Sequence, residues 1–189
     1  MKTFFSYVYQ WLIFIPVLVV SSIVTAITVM IGCTIGNDKF WGYYPPKYWS
    51  KIICRTAFCR IKIKKNNKLD PDQSYVFVAN HQGAFDIFLT YGYLGQNIKW
   101  VQKYELRKIP FVGKASEIAG HVFVDSSSVK AMTRTISKAQ EELQKGVSMV
   151  IFPEGARSET GKMGRFKKGA YIIATQMQLP IVPITLNGP

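Results

Sequence analysis

Acidic side chains are scarce in this chain. Its 189 residues hold 11 Asp and Glu against 24 Lys and Arg, a net charge of +13. An excess of that size points to an anionic partner, either nucleic acid or an anionic membrane surface. Cysteine and histidine are scarcer still, at three and two. Cys33, Cys54 and Cys59 are odd in number, which argues against a disulfide framework. His81 and His121 are isolated, so no zinc-ligand spacing exists and no metal is expected. There is no internal repeat and no low-complexity stretch. With 48% hydrophobic residues, a largely disordered chain is excluded. The length suits one domain with a buried core.

Charge is absent altogether between Lys2 and Asp38. From Trp11 to Ile35 the chain is nearly continuous Leu, Ile, Val, Phe, Ala, Met and Thr. A bilayer core about 30 Å thick needs about 20 apolar residues in one helix. Residues 1–38 therefore read as a membrane anchor, in one of two geometries. One is a tilted single span; the other is a bent helix pair in one leaflet, broken near Pro16 or Gly32. A cleaved leader fits poorly, because the run continues past the small residues Thr25 and Ala26. A soluble core helix fits poorly too, because so small a domain rarely hides such a run.

Residues 39–70 read as a basic, aromatic connector. Lys39, Lys47, Lys51, Arg55, Arg60, Lys62, Lys64, Lys65 and Lys68 give this flank a cytoplasmic orientation under the positive-inside rule. Trp41, Tyr43, Tyr44, Tyr48 and Trp49 suit the headgroup zone. Residues 71–189 form the soluble part, and its pattern is α/β. Strands are expected at 75–78, 98–101, 121–124, 148–152 and 181–186. Helices are expected at 84–95 and 169–178. A further amphipathic helix carries Val129, Met132, Ile136, Ala139 and Leu143, with cap residues among Ser126–Ser128 and a stop at Gly146. Such alternation predicts a mixed or parallel sheet flanked by helices, preceded by the membrane-embedded segment. The ending at Asn187-Gly188-Pro189, straight after a strand, suggests that residues completing the sheet follow elsewhere.

Two clusters at strand ends carry chemistry, where α/β folds bind their ligands. The first is Asn80-His81-Gln82-Gly83-Ala84-Phe85-Asp86. On one helix, positions 81 and 86 would point about 140° apart. His81 must therefore leave the strand in a turn, which Gly83 permits, and Asp86 can face it from the first helical turn. A carboxylate on one ring nitrogen fixes the tautomer and leaves the other nitrogen free to take a proton. No Ser or Cys lies within the motif, so the hydroxyl should belong to the substrate. The second cluster is Phe152-Pro153-Glu154-Gly155-Ala156-Arg157-Ser158. Arg157 offers a planar fork for phosphate, and Gly155 allows close backbone approach. Lys103 ends a neighbouring strand and can reach the same mouth.

These residues resemble the glycerolipid acyltransferase family, the 1-acyl-sn-glycerol-3-phosphate acyltransferases. The family's Asn-His-x-x-x-x-Asp motif matches Asn80, His81 and Asp86. Its Phe-Pro-Glu-Gly-x-Arg-Ser motif matches Phe152–Ser158, and its Val-Pro strand matches Ile181-Val182-Pro183-Ile184. Lys103, with Pro110 and Gly113 downstream, resembles the segment that supplies a phosphate-binding lysine. The matches span residues 75–186. The chain departs from the family at Gly83, where Ser is common, and at Ala156, where Thr is common. It departs again after Val124-Asp125, where Ser126–Ser128 stand near the family's frequent Arg, and this leaves the head group open.

The resemblance implies an acyltransferase with His81 as base and Asp86 as its orienting group. Lys103, Glu154, Gly155, Arg157 and Ser158 would bind substrate, with Glu154 bonding Arg157 or the glycerol. Asn80, Gln82, Gly83, Pro153 and Pro183 would support the motifs. The implied acceptor is lysophosphatidic acid, acylated at its sn-2 hydroxyl to phosphatidic acid. The implied donor is acyl-CoA or acyl-carrier protein, as co-substrate and with no cofactor. The partners are then membrane lipid and the two substrates, not nucleic acid, and the catalytic domain faces the cytoplasm. Rival readings are another lyso-lipid acceptor (a lysophospholipid or lyso-ornithine lipid), a hydrolase, and a non-catalytic module that binds anionic lipid.

Overall fold

The computed structural model describes residues 2–65, 69–70, 72–125, 127–158 and 161–187. Lys68 of the basic flank, Ser126 of the candidate caps, and Gly188 and Pro189 lie outside the described residues. The chain opens with α1 (Lys2–Tyr9), a π turn (Gln10–Phe14) and α2 (Ile15–Ile35). Together they make one uninterrupted helix. It is long and apolar enough to cross a membrane by length and composition. Pro16 explains the π turn. It has no N–H for the carbonyl one turn back, and its ring crowds that carbonyl, so the preceding turn widens instead of breaking. Hydroxyls on Ser21, Ser22, Thr28 and Thr34 donate to carbonyls four residues earlier, so these polar groups are satisfied within the helix.

The break falls at Gly36-Asn37, not at Pro16 or Gly32 as the sequence suggested. Asn37 caps the short α3 (Asp38–Trp41), its side chain accepting from the Lys39 N–H. Gly32 instead makes room for a neighbour. A Cβ there would lie 2.3 Å from the Trp41 ring, so glycine forms the seat for that indole. The expected interfacial collar is itself a helix, α4 (Tyr44–Thr56), which starts on Pro45-Pro46. It runs back along the long helix, and the Tyr9 hydroxyl donates to the Thr56 carbonyl at 2.7 Å.

The α/β part follows as β1 (Val76–Ala79), α5 (Phe85–Tyr93), β2 (Ile98–Lys103), a 3-10 helix (Tyr104–Lys108) and α6 (Val112–Ile118). Then come β3 (Val122–Val124), α7 (Val129–Gln144), β4 (Ser148–Ile151), α8 (Gly169–Gln176) and β5 (Ile181–Ile184). The strands form one sheet in the order β3-β2-β4-β1-β5, and every pairing is parallel. Ser128 is the cap of α7, accepting from the Ala131 N–H, and Gly146 at φ +79° ends that region.

Alternation along the strands sorts the core into two layers. Val76, Val78, Met149 and Ile151 pack on Ala139, Leu143, Ile173 and Ala174 of α7 and α8. Phe77, Ile98, Trp100 and Val150 pack on Tyr91 of α5 and Tyr43. A third contact joins Ala26 and Val29 of α2 to Ala115 and Ala119 of α6. With both faces covered, β1 and β4 are buried along their whole length. From β1 the chain crosses β4 to reach β2 and then β3; from β4 it crosses back to β5. The connections therefore diverge beside β1 and β4, and a crevice opens at their carboxyl ends.

Gly32→Ala tests the seat of Trp41. The added methyl should displace the indole and cost about 1–3 kcal/mol, seen as a lower melting temperature of the detergent-purified chain. An unchanged melting temperature would show that the indole does not rest on α2.

Candidate active site

Asn80 leaves β1 and ties down the neighbouring strand's tail. Its side chain donates to the Leu186 carbonyl and accepts from the Leu186 N–H, at 2.9 and 2.8 Å. That side chain continues the β1–β5 pairing past the last paired residues. Pro183 lies in β5, opposite Val78, on an edge strand that tolerates a missing donor.

His81 follows. Its Nδ1 is 2.9 Å from Asp86 Oδ2, and the carboxylate also accepts from the N–H groups of Gln82 and Gly83 at 2.6 and 2.8 Å. Asp86 is buried in the first turn of α5. Burial pushes its carboxyl up, but the hydrogen bonds from His81, Gly83 and Gln82 outweigh burial and hold it below its ordinary value. Asp86 also makes the turn. Gly83 has no positive φ, and a Cβ there would meet open space, so the expectation that Gly83 permits the bend is corrected. The side chain that gathers the two N–H groups sets the turn, and Ser at 83 would fit equally well.

The second loop comes off β4, directly beside β1. Phe152 stacks on the His81 ring at 4.0 Å and 12°, and Trp100 stacks behind Phe152 at 5.4 Å. An aromatic face so close stabilises a ring that becomes cationic. Glu154 accepts from the His81 N–H with Oε1 and from the Gly164 N–H with Oε2, both at 2.8 Å. It does not bond Arg157; its role is to join the two motif loops to the basic loop beyond. Gly155 takes φ +75°, a conformation that favours glycine. Pro153 is buried, and its carbonyl accepts from Lys167 N–H at 2.8 Å. Ser158 donates its N–H to the His81 carbonyl at 2.9 Å and its hydroxyl to the Lys162 carbonyl. Gln82 reaches the Gly161 carbonyl at 3.5 Å.

The first and second clusters therefore meet, as their strand order requires. Arg157 projects into solvent and has no ion pair among the described residues. Lys103 is exposed at the end of β2, the strand on the far side of β4. Sequence reasoning missed the roles of Phe152 and Glu154, although both lie inside the motif. It also missed Phe14, which stacks on Phe85 next to Asp86 and brings the apolar helix to the site. His121 is not part of it. It is buried, accepts from the Trp100 N–H through Nδ1, and is held down to about 3 by burial and then by the Lys99 charge.

Residues 60–187 match the family described as Acyltransferase. The chain belongs to the acyltransferase family. Among its relatives is the chloroplastic 1-acyl-sn-glycerol-3-phosphate acyltransferase BAT2 of Brassica napus, 34% identical over 77% of this chain and 42% of that one. The 1-acyl-sn-glycerol-3-phosphate acyltransferase of Helicobacter pylori is 35% identical over 70% of this chain and 56% of that one. The crystal structure of the 1-acyl-sn-glycerophosphate (LPA) acyltransferase PlsC from Thermotoga maritima matches with a TM-score of 0.79 and 26% identity. It covers 97% of this chain and 74% of that chain. The chain thus spans about two-fifths to somewhat over half the length of these curated relatives.

Asp86→Asn tests the pair. Its depressed carboxyl contributes stability that is present above the unfolded value of 3.8 and is lost as pH falls through the folded value. The variant should lose about 1–3 kcal/mol at neutral pH and show a flatter decline below pH 4 in denaturant titrations. A decline as steep as in the unaltered chain would show that the carboxylate is not held by these bonds.

Proposed function

We propose that this chain transfers a fatty acyl group from a thioester donor, acyl-CoA or acyl-carrier protein, to the sn-2 hydroxyl of lysophosphatidic acid. One observation carries the reading. Asp86 orients His81 through Nδ1, Nε2 has no hydrogen-bond partner among the described residues, and the exposed Arg157 follows in the loop whose Ser158 N–H bonds the His81 carbonyl.

In this mechanism His81 Nε2 removes the hydroxyl proton as the oxygen attacks the thioester carbonyl. Asp86 and the Phe152 face stabilise the imidazolium that forms. The tetrahedral intermediate collapses by breaking the carbon–sulfur bond. His81 returns its proton to the departing thiolate. Phosphatidic acid and free thiol leave, and no acyl-enzyme is needed. Arg157 holds the acceptor phosphate with its planar fork and Lys103 adds a point charge. A zwitterionic or aminoacyl head group would rely less on Arg157.

The long helix supports a membrane setting, since both substrates carry apolar tails. It touches the rest of the chain at Tyr9, Phe14, Ala26 and Val29, and so lies along the catalytic domain over most of its length. A helix held this way favours embedding in one leaflet over a free span. On this reading the domain faces the cytoplasm, which the basic flank supports under the positive-inside rule.

The test incubates the purified chain in vesicles with lysophosphatidic acid and labelled acyl-CoA or acyl-carrier protein. The unaltered chain should make labelled phosphatidic acid. His81→Ala should lower the rate at least about 1,000-fold. Arg157→Gln should raise KM for the acceptor about tenfold or more. Free fatty acid released without an acceptor would make the protein a hydrolase. Phosphatidic acid made equally by His81→Ala would remove the base from the account.

A further inference from the structure

We propose that Tyr104–Val112, the segment after β2, is a second membrane-contacting surface that enters the interface of an anionic bilayer beside the active-site mouth. The proposal rests on the reading that α1–α2 lies in the bilayer, and goes beyond it by giving a membrane role to a part of the α/β domain.

Exposure is the first ground. Tyr104 is 40% exposed, Leu106 37%, Ile109 44%, Phe111 49% and Val112 38%. Five large apolar residues within nine positions concentrate exposed apolar side chains in this one segment. The segment leaves the carboxyl end of β2, the same edge of the sheet that carries His81 and Arg157.

Rigidity is the second ground. Phe111 holds φ +61°, a region that bulky residues rarely adopt. The Gly113 N–H donates to the Ile109 carbonyl, and the Ala115 N–H to the Phe111 carbonyl, both at 2.9 Å. A Cβ at Gly113 would lie 2.1 Å from the Arg107 carbonyl oxygen, so the loop is folded tightly onto that glycine. The fold thus holds an aromatic ring outward in a strained conformation without burying it. Such strain is a reason to look for a function outside the folded chain.

Charge and continuity identify the partner. Lys103, Arg107, Lys108 and Lys114 are all exposed around these apolar side chains, against Glu105 and Glu117. Glu117 is engaged by Arg107 and Lys114. Apolar residues ringed by basic ones suit the anionic interface of a bilayer. The segment leads directly into α6, whose Ala115 and Ala119 pack on Ala26 and Val29 of the apolar helix. The segment is thereby tethered through α6 to the apolar helix.

The test places p-benzoylphenylalanine singly at Phe111, Ile109, Leu12 and Ser137 of the full chain. Each protein is reconstituted in vesicles of phosphatidylcholine and phosphatidylglycerol, irradiated, and examined by mass spectrometry for lipid adducts. Leu12 reports the apolar helix, and Ser137 is exposed on α7, on the other side of the sheet. Adducts on phospholipid acyl chains are expected from 109, 111 and 12, with none from 137. Adducts from 12 without any from 109 or 111 overturn the proposal and leave the membrane reading intact. No adduct from 12 overturns both. Adducts from 111 to added acyl-carrier protein instead of lipid give the face to a protein partner and overturn it equally.

A second variant guards against a local folding effect. Phe111→Gly removes the ring and relieves the strained φ. It should lower turnover of vesicle-embedded lysophosphatidic acid about tenfold, with little change when the acceptor is in mixed micelles. An equal loss in both settings would show that the ring serves only the loop's own structure.

Discussion

The carboxylate of Glu154 is the joint on which the site depends. One oxygen takes the backbone N–H of His81, the other that of Gly164. A charged acceptor makes both bonds stronger than neutral ones. His81 sits on the loop after β1, and Glu154 on the loop after β4. These strands are far apart in sequence and adjacent in the sheet. Their pairing brings the loops within reach, and Glu154 then sets the distance between them. The remaining ties follow from that placement: Ser158 N–H on the His81 carbonyl, Phe152 flat against the imidazole, and Asp86 on Nδ1. Without the joint, only the Ser158–His81 backbone bond, the Phe152 stack and the long Gln82–Gly161 contact would hold the two loops together.

The long apolar helix is packed against the same site. Phe85 stands next to Asp86 in α5 and stacks on Phe14 of the long helix. Trp49 of α4 meets Phe88 one turn on. The helix that carries Asp86 is therefore packed between the sheet and the pair formed by the long helix and α4. On the proposed reading, the acceptor's tail and the base are held by one rigid body.

Much of this is legible in the sequence because it is local. The five strands, α5, α7 and α8 can be read to within a few residues, since their apolar runs and periodicities are short-range signals. The clusters at residues 80–86 and 152–158 are legible as chemistry because each sits at a strand end. Other features depend on contacts that a linear pattern does not carry. The break at Gly36 is hidden because Pro16 looks like the stronger breaker, whereas a π turn absorbs it. The helix α4 is hidden by its opening Pro45-Pro46 and by aromatic and basic residues that read as an interface. The short α6 lacks an amphipathic stripe long enough to detect. The resemblance implies that Glu154 bonds Arg157 or the glycerol, whereas its partners are two backbone N–H groups, those of His81, 73 residues away, and Gly164. Gly83 suggests a conformational role that Asp86 performs.

The most direct test of the joint is a double-mutant cycle on the acyl-transfer rate with Glu154→Gln and His81→Ala. If Glu154 acts by positioning His81, Glu154→Gln should cost about 100-fold alone and almost nothing further in the His81→Ala background. Losses that multiply in the double variant would contradict the account, because Glu154 would then act on the reaction independently of the base.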